Sequence, residues 1–121
     1  MNWKIDNKQP VYSQIKSQFR SGVLTGQFPM GSRVPSVREL AAEISANPNT
    51  VQRAYAELEA EKLLVCSGTQ GRFVTDDTAV IEKLRQDAIA EALRISKALF
   101  QAVGLEPKEA AALLLNDKED A

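Results

Sequence analysis

The segment EISANPNTVQRAYAELE, residues 43–59, constrains the fold more than any other part of this 121-residue chain. A proline inside an apolar periodicity ends a helix, and a proline alone would suffice for that. Here Asn47 stands directly before Pro48. Asparagine is a strong N-cap, and the first helical position is where proline costs least, because its missing N–H has no partner there. The pair therefore starts a second helix as firmly as it ends the first. Upstream, Ser36 and Glu39 form an S-x-x-E capping box before Val37, Leu40, Ala41 and Ile44, apolar at i, i+3, i+4 and i+7. Downstream, Val51, Ala54, Tyr55 and Leu58 repeat the pattern. Two short amphipathic helices joined by about three residues predict a helix-turn-helix.

With about 100° per residue, the face opposite Val51 and Tyr55 carries Asn49, Arg53 and Ala56, flanked by Thr50 and Gln52. Acidic residues begin only at Glu57. Amides pair with adenine, and a guanidinium pairs with guanine or phosphate; the helix N-terminus favours anions as well. Asn47 is expected to act first as a cap. Arg38, beside Ser36 at the preceding helix start, suits a phosphate.

The flanking segments fit around this pair. Residues 1–9 read as a polar lead-in in which Trp3 and Ile5 alternate with polar neighbours. Pro10 opens a helix carrying Val11, Tyr12, Ile15, Phe19 and Val23. Gly26–Gly31 is a loop, with Phe28 expected to plug the core. Leu63–Cys66 and Arg72–Thr75 read as two strands around the turn SGTQG, which is a wing. Its tip would reach DNA through Thr69, Gln70, Arg72 and the Gly71 backbone.

After the polar junction at Asp76–Thr78, a long helix is expected over about 78–103. Ile81, Leu84, Ala88, Ile95, Leu99 and Ala102 form one stripe near coiled-coil spacing, widened by Ile89, Leu93, Phe100 and Val103. Gly104 ends it, and Glu106-Pro107 starts a last helix before a charged tail. So much apolar surface on a helix beyond a small domain predicts self-association, with Ile81, Leu84, Ala88, Ile95, Leu99 and Phe100 at the interface. The expected division is 1–75 for DNA binding and 76–121 for dimerisation. The fold class is mainly α: a winged helix-turn-helix with a small β-hairpin wing, followed by a C-terminal helical dimerisation unit.

Charge supports two roles. Residues 1–75 hold nine Lys/Arg and six Asp/Glu, whereas 76–121 hold six and ten. The chain has no histidine and one cysteine, Cys66. That removes the commonest general base and metal ligand, any intrachain disulfide and any Cys-rich zinc site. No paired carboxylates or phosphate loop fill the gap, so neither catalysis nor a cofactor is expected. No apolar run approaches the roughly 20 residues that span a bilayer, and the N-terminus lacks the apolar stretch of a signal peptide. A cytoplasmic location is expected.

The stretches PVYSQI, GSRVPSVRELAAEISANPNTVQRAYAELEAEKLL and GRFV together resemble the DNA-binding domain of GntR-family bacterial transcription regulators, over residues 10–75. NPNTVQRAY and the short C-terminal part resemble the YtrA subfamily. The resemblance implies a winged-helix homodimer, usually a repressor, bound to an inverted-repeat operator. It places Arg38, Thr50 and Gln52, with Asn47 and Asn49, at the DNA. The wing, GTQGRFV, departs from the family's usual R-G-x-G-T-F-V: the first Arg is missing and Arg72 replaces the usual Thr. Two C-terminal helices leave little room for an enclosed pocket, so any small-molecule effector is expected to bind between subunits. The expected interface is Ser36, Arg38, Asn47, Asn49, Thr50, Gln52, Arg53, Gly71 and Arg72. The alternative is a winged-helix protein–protein adaptor that never touches DNA.

Overall fold

The computed structural model describes residues 1–117; the end of the charged tail, residues 118–121, lies outside them. Helix α1 (Val11–Thr25) follows Pro10, and strand β1 (Arg33–Val34) follows a loop. Helices α2 (Val37–Ile44) and α3 (Pro48–Ala60) are the expected pair. Strands β2 (Leu64–Cys66) and β3 (Arg72–Val74) flank a single 3-10 turn, and helices α4 (Thr78–Ala102) and α5 (Pro107–Asn116) complete the chain.

Local chemistry draws these boundaries. The Ser36 hydroxyl oxygen accepts from the Glu39 N–H at 3.1 Å, while the Glu39 carboxylate accepts from the Ser36 N–H at 2.8 Å, so the capping box is complete. α2 ends on Ser45, held in the left-handed region at φ 55°. Asn47 Oδ1 then accepts from the Asn49 N–H at 2.8 Å, with Pro48 in the first turn. The cap and the proline thus begin α3 as their order in the chain predicts.

The sheet holds one strand more than the sequence pattern suggests. Its order is β1-β3-β2, antiparallel throughout, with Arg33 opposite Phe73 and Val34 opposite Arg72. β1 is two residues long, too short to show alternation, and only its distant partner makes it a strand. Val34 and Pro35 lie before α2, Val34 in the strand.

The core joins Ile15, Phe19 and Val23 of α1 to Leu40 and Ala41 of α2 and to Val51, Ala54, Tyr55 and Leu58 of α3. Phe28, Val34, Leu63, Leu64 and Val74 close it. Full burial of such side chains stabilises by about 1.5–3 kcal/mol each before entropy is counted. Tyr55 is wholly buried, and its hydroxyl donates to the Pro35 carbonyl at 2.8 Å. Burial pushes its phenol well above the ordinary value.

The N-terminal residues are a strap rather than a loose lead-in. Trp3 and Ile5 are half-buried against the core, the Trp3 ring 5.4 Å from that of Phe28. Gln18 Oε1 accepts from the Lys4 N–H at 2.9 Å, and its amide donates back to the Lys4 carbonyl. Gln14 does the same to Asp6, at 2.8 and 2.7 Å. Two glutamines one helical turn apart thereby imitate the ladder of a neighbouring strand, which pairs alternate residues.

A polar ladder joins α1 to α3. Glu57 accepts from the Tyr12 hydroxyl at 2.5 Å and from Lys16 at 2.8 Å. Glu61 accepts from Arg20 at 2.6 and 2.7 Å, with Lys16 3.2 Å away. The Lys16 and Tyr12 bonds hold the Glu57 carboxyl below the usual range. At Glu61 burial works the other way, but Arg20 and Lys16 outweigh it. Glu57 in turn raises the Lys16 ammonium, against the effect of burial.

The chain divides into two compact units, Met1–Arg85 and the residues from Gln86 onward. The first extends beyond residue 75 because Val80, Ile81 and Leu84 of α4 pack against its core. Ile81 and Leu84, two of the six expected self-association residues, therefore spend part of their surface within the chain. In the second unit Ala88 and Phe100 are half-buried, whereas Ile95 and Leu99 are exposed. Glu106 and Glu109 form a capping box for α5, whose Ala110 is buried. Among the described residues, no helix is long and apolar enough to cross a membrane.

Candidate nucleic-acid interface

Burying Val51, Ala54, Tyr55 and Leu58 turns the rest of α3 outward. Asn49, Gln52 and Arg53 are exposed, and Thr50 is half-buried. The Asn49 and Gln52 amides have no hydrogen-bond partner among the described residues. Unused amides on the first two turns of a helix are the groups that can read base edges. Asn47 is exposed but spends its side-chain oxygen on the cap.

The cations of the first unit sort by what already holds them. Lys16 and Arg20 are committed to the α1–α3 ladder. Arg72 is committed to Glu59, its Nε 2.8 Å from the carboxylate and its guanidinium 5.5 Å from the Tyr55 ring centroid. Arg53 lies 4.0 Å over the Tyr12 ring, and Glu57 is 3.6 Å from its Nε. That pair is too long for a hydrogen bond, so the stacked guanidinium keeps its donors. Arg38 is exposed and has no acceptor among the described residues.

The Ser36 hydroxyl oxygen accepts from the Glu39 N–H within the capping box. Hydrogen bonds from Ser36, backbone first, hold the Glu39 carboxyl below the usual range. At the wing, Gly71 takes φ 109° and ψ −159°, a region essentially restricted to glycine. Thr69 and Gln70 are exposed on the turn before it.

The expected residues thus fall into three groups. Ser36 and Arg38 sit at the start of α2, Asn47 through Arg53 on the first turns of α3, and Gly71 with Arg72 at the wing. Glu57, four residues after Arg53, was foreseeable as its ion-pair partner, but the sequence pattern did not single out the Tyr12 ring beneath Arg53, because Tyr12 belongs to the distant helix α1. Nor did it mark Arg33, whose Nε would lie 3.5 Å from a Cβ placed on Gly71. No local signal could have found either pairing. No group of three or more His, Cys, Asp or Glu able to hold a metal ion occurs among the described residues.

Comparison with known proteins gives a consistent result. The profile of "Bacterial regulatory proteins, gntR family" matches residues 11–74. The chain is 34% identical over 94 residues to the HTH-type transcriptional regulator Rv1152 of Mycobacterium tuberculosis, covering 74% of this chain and 78% of that protein. It is 41% identical over 75 residues to the HTH-type transcriptional repressor YtrA of Bacillus subtilis, covering 60% and 58%. A solved GntR family transcriptional regulator from Listeria monocytogenes superposes with a TM-score of 0.84 at 30% identity, over 94% of this chain and all of that one.

Proposed function

Since the chain belongs to the GntR family of bacterial regulatory proteins and is YtrA-like, we propose that it is a homodimeric repressor that reads an inverted-repeat operator through α3. One observation carries this reading: α3 turns Asn49, Gln52 and Arg53 outward with donors uncommitted among the described residues, while Glu57 and the C-cap Glu61 are tied up by α1 and Glu59 by Arg72 of β3. Evenly distributed surface polarity would leave no such contrast. In this reading α3 enters the major groove, where Asn49, Gln52 and Arg53 meet base edges. Ser36, Arg38 and Thr50 hold phosphates, Asn47 orients the helix start, and the wing turn around Gly71 approaches the flanking backbone.

The exposed Ile89, Leu93, Ile95 and Leu99 of α4, Val103 just after it, and Leu113, Leu114 and Leu115 of α5 support self-association. So many exposed large apolar side chains favour an interface. Repression is supported by the likeness to the YtrA repressor. An effector would bind between the C-terminal segments of two subunits, since a ligand pocket needs roughly 300 Å³ or more. A protein that reads the chromosome in this way works in the bacterial cytoplasm.

The test is fluorescence anisotropy on labelled DNA from upstream of the protein's own gene, beside a shuffled duplex, with random-sequence selection if the operator lies elsewhere. Gln52→Ala is expected to lose about 1–3 kcal/mol of discrimination between operator and shuffled DNA. Arg38→Ala is expected to weaken both duplexes alike and to flatten the salt dependence. Binding that ignores salt and both substitutions would overturn the assignment and favour the adaptor.

A further inference from the structure

Two arginines stand near the wing, and the pleat of the sheet sends them opposite ways. Alternate residues of a strand point to the same face, so Arg72 shares a face with buried Val74, and its β1 partner Val34 is buried there too. On that face Arg72 is used up: Glu59 accepts from its Nε at 2.8 Å, and only 22% of the side chain is exposed. The other face carries Phe73 and, opposite it on β1, Arg33. The Arg33 side chain is 57% exposed.

Arg33 reaches along the sheet to the wing turn. Its Nε lies 3.5 Å from where a Cβ on Gly71 would stand, so the guanidinium passes over bare backbone at the turn. The carboxylate facing it is that of Glu39, 3.6 Å from Nη2, which is beyond hydrogen-bond length. The same Glu39 oxygen already accepts from the Ser36 N–H. Arg33 is therefore oriented by Glu39 and keeps its donors free. It also stands five residues before Arg38, the exposed guanidinium at the start of α2 that has no acceptor among the described residues.

We propose that Arg33 is a phosphate-contacting residue of the DNA interface, acting beside the wing turn, and that Arg72 is a structural residue with no DNA contact. The planar fork of a guanidinium suits two oxygens of one backbone phosphate. The missing side chain at Gly71 leaves that phosphate room to approach. A cation that the wing strand cannot present is thus supplied by β1. This inference rests on the DNA-binding interface described above.

The experiment uses the full chain and two fluorescein-labelled duplexes, one selected from random sequence by the wild type and one shuffled, titrated across a range of salt. Arg33→Gln is expected to weaken both duplexes by a similar factor, roughly three- to tenfold. It should also reduce the slope of log affinity against log salt by about 0.9, with thermal stability unchanged. Arg33→Lys should keep the slope. Arg72→Gln should keep the slope while lowering the melting temperature. An unchanged slope in Arg33→Gln, or a slope reduced in Arg72→Gln, would overturn the assignment. Arg38→Gln separates the two levels: if it flattens the slope and Arg33→Gln does not, only the Arg33 contact is wrong. If neither does, or the wild type shows no salt-dependent binding, the interface itself is wrong and this inference falls with it.

Discussion

A Cβ at Gly22 would lie 2.4 Å from Phe28 Cδ2 and within 2.7 Å of two further ring atoms. Alanine favours a helix interior over glycine by about 1 kcal/mol. Overpacking of a core costs about 1–3 kcal/mol, and the Phe28 ring is confined on other sides by Trp3 and Phe19. The clash should win, so Gly22→Ala is expected to lower the melting temperature. Phe28→Leu should recover part of the loss when combined with it, which a double-mutant cycle measures. A Gly22→Ala protein as stable as the wild type would show that the loop yields instead. Neither residue signals the other in the sequence: Phe28 was legible as a core plug, but the need for glycine opposite it was not.

Among the elements, α1 and α3 meet through carboxylates whose ionisation is linked to stability. Glu57 and Glu61 both titrate below the ordinary carboxylate value of 4.5 in the folded protein. A depressed folded value contributes stability that is fully present above the unfolded value and lost as pH falls through the folded one. The melting temperature is therefore expected to drop as the pH falls below the ordinary carboxylate value of 4.5. A Glu57→Gln, Glu61→Gln double variant should start lower at neutral pH and show a shallower drop. Equal pH dependence in the two proteins would mean that other carboxylates dominate. The strap offers a second reading at this scale. Trp3 is the single tryptophan, and its ring rests on Phe28 because Gln14 and Gln18 hold the backbone around it. Gln14→Ala combined with Gln18→Ala should shift its fluorescence to the red and expose it to quenchers well below the melting transition. An unshifted spectrum would mean that apolar packing alone holds the strap.

For the whole molecule, the apolar surface of the second unit sets the expectation. α4 has no buried residue among its 25. Leu99 is 64% exposed and Leu115 86%. Sedimentation of the wild type is expected to give a dimer, with a melting temperature that rises with protein concentration. Leu99→Glu should give a monomer with weaker operator binding, since two linked half-sites bind far more tightly than one. A wild type that sediments as a monomer at every concentration would remove dimerisation from the proposed function.

Much of this was legible in the residues themselves, and the reason is locality. Asn47-Pro48, the Ser36–Glu39 box and the i, i+3, i+4, i+7 pattern act over one or two helical turns, so the paired helices, their boundaries and the outward face of α3 follow from the sequence alone. The hairpin strands and the length of α4 follow for the same reason. Tertiary structure decided what depends on distant partners. β1 exists only because β3 pairs with it, and the first unit reaches Arg85 only because Val80, Ile81 and Leu84 find a core assembled from other elements. The same distinction divides the arginines, which look alike as letters. Arg20 and Arg72 are neutralised by carboxylates 41 and 13 residues ahead of or behind them. Arg38 meets none among the described residues, because an ion pair is a fact of position in space, which a helix-scale pattern cannot encode.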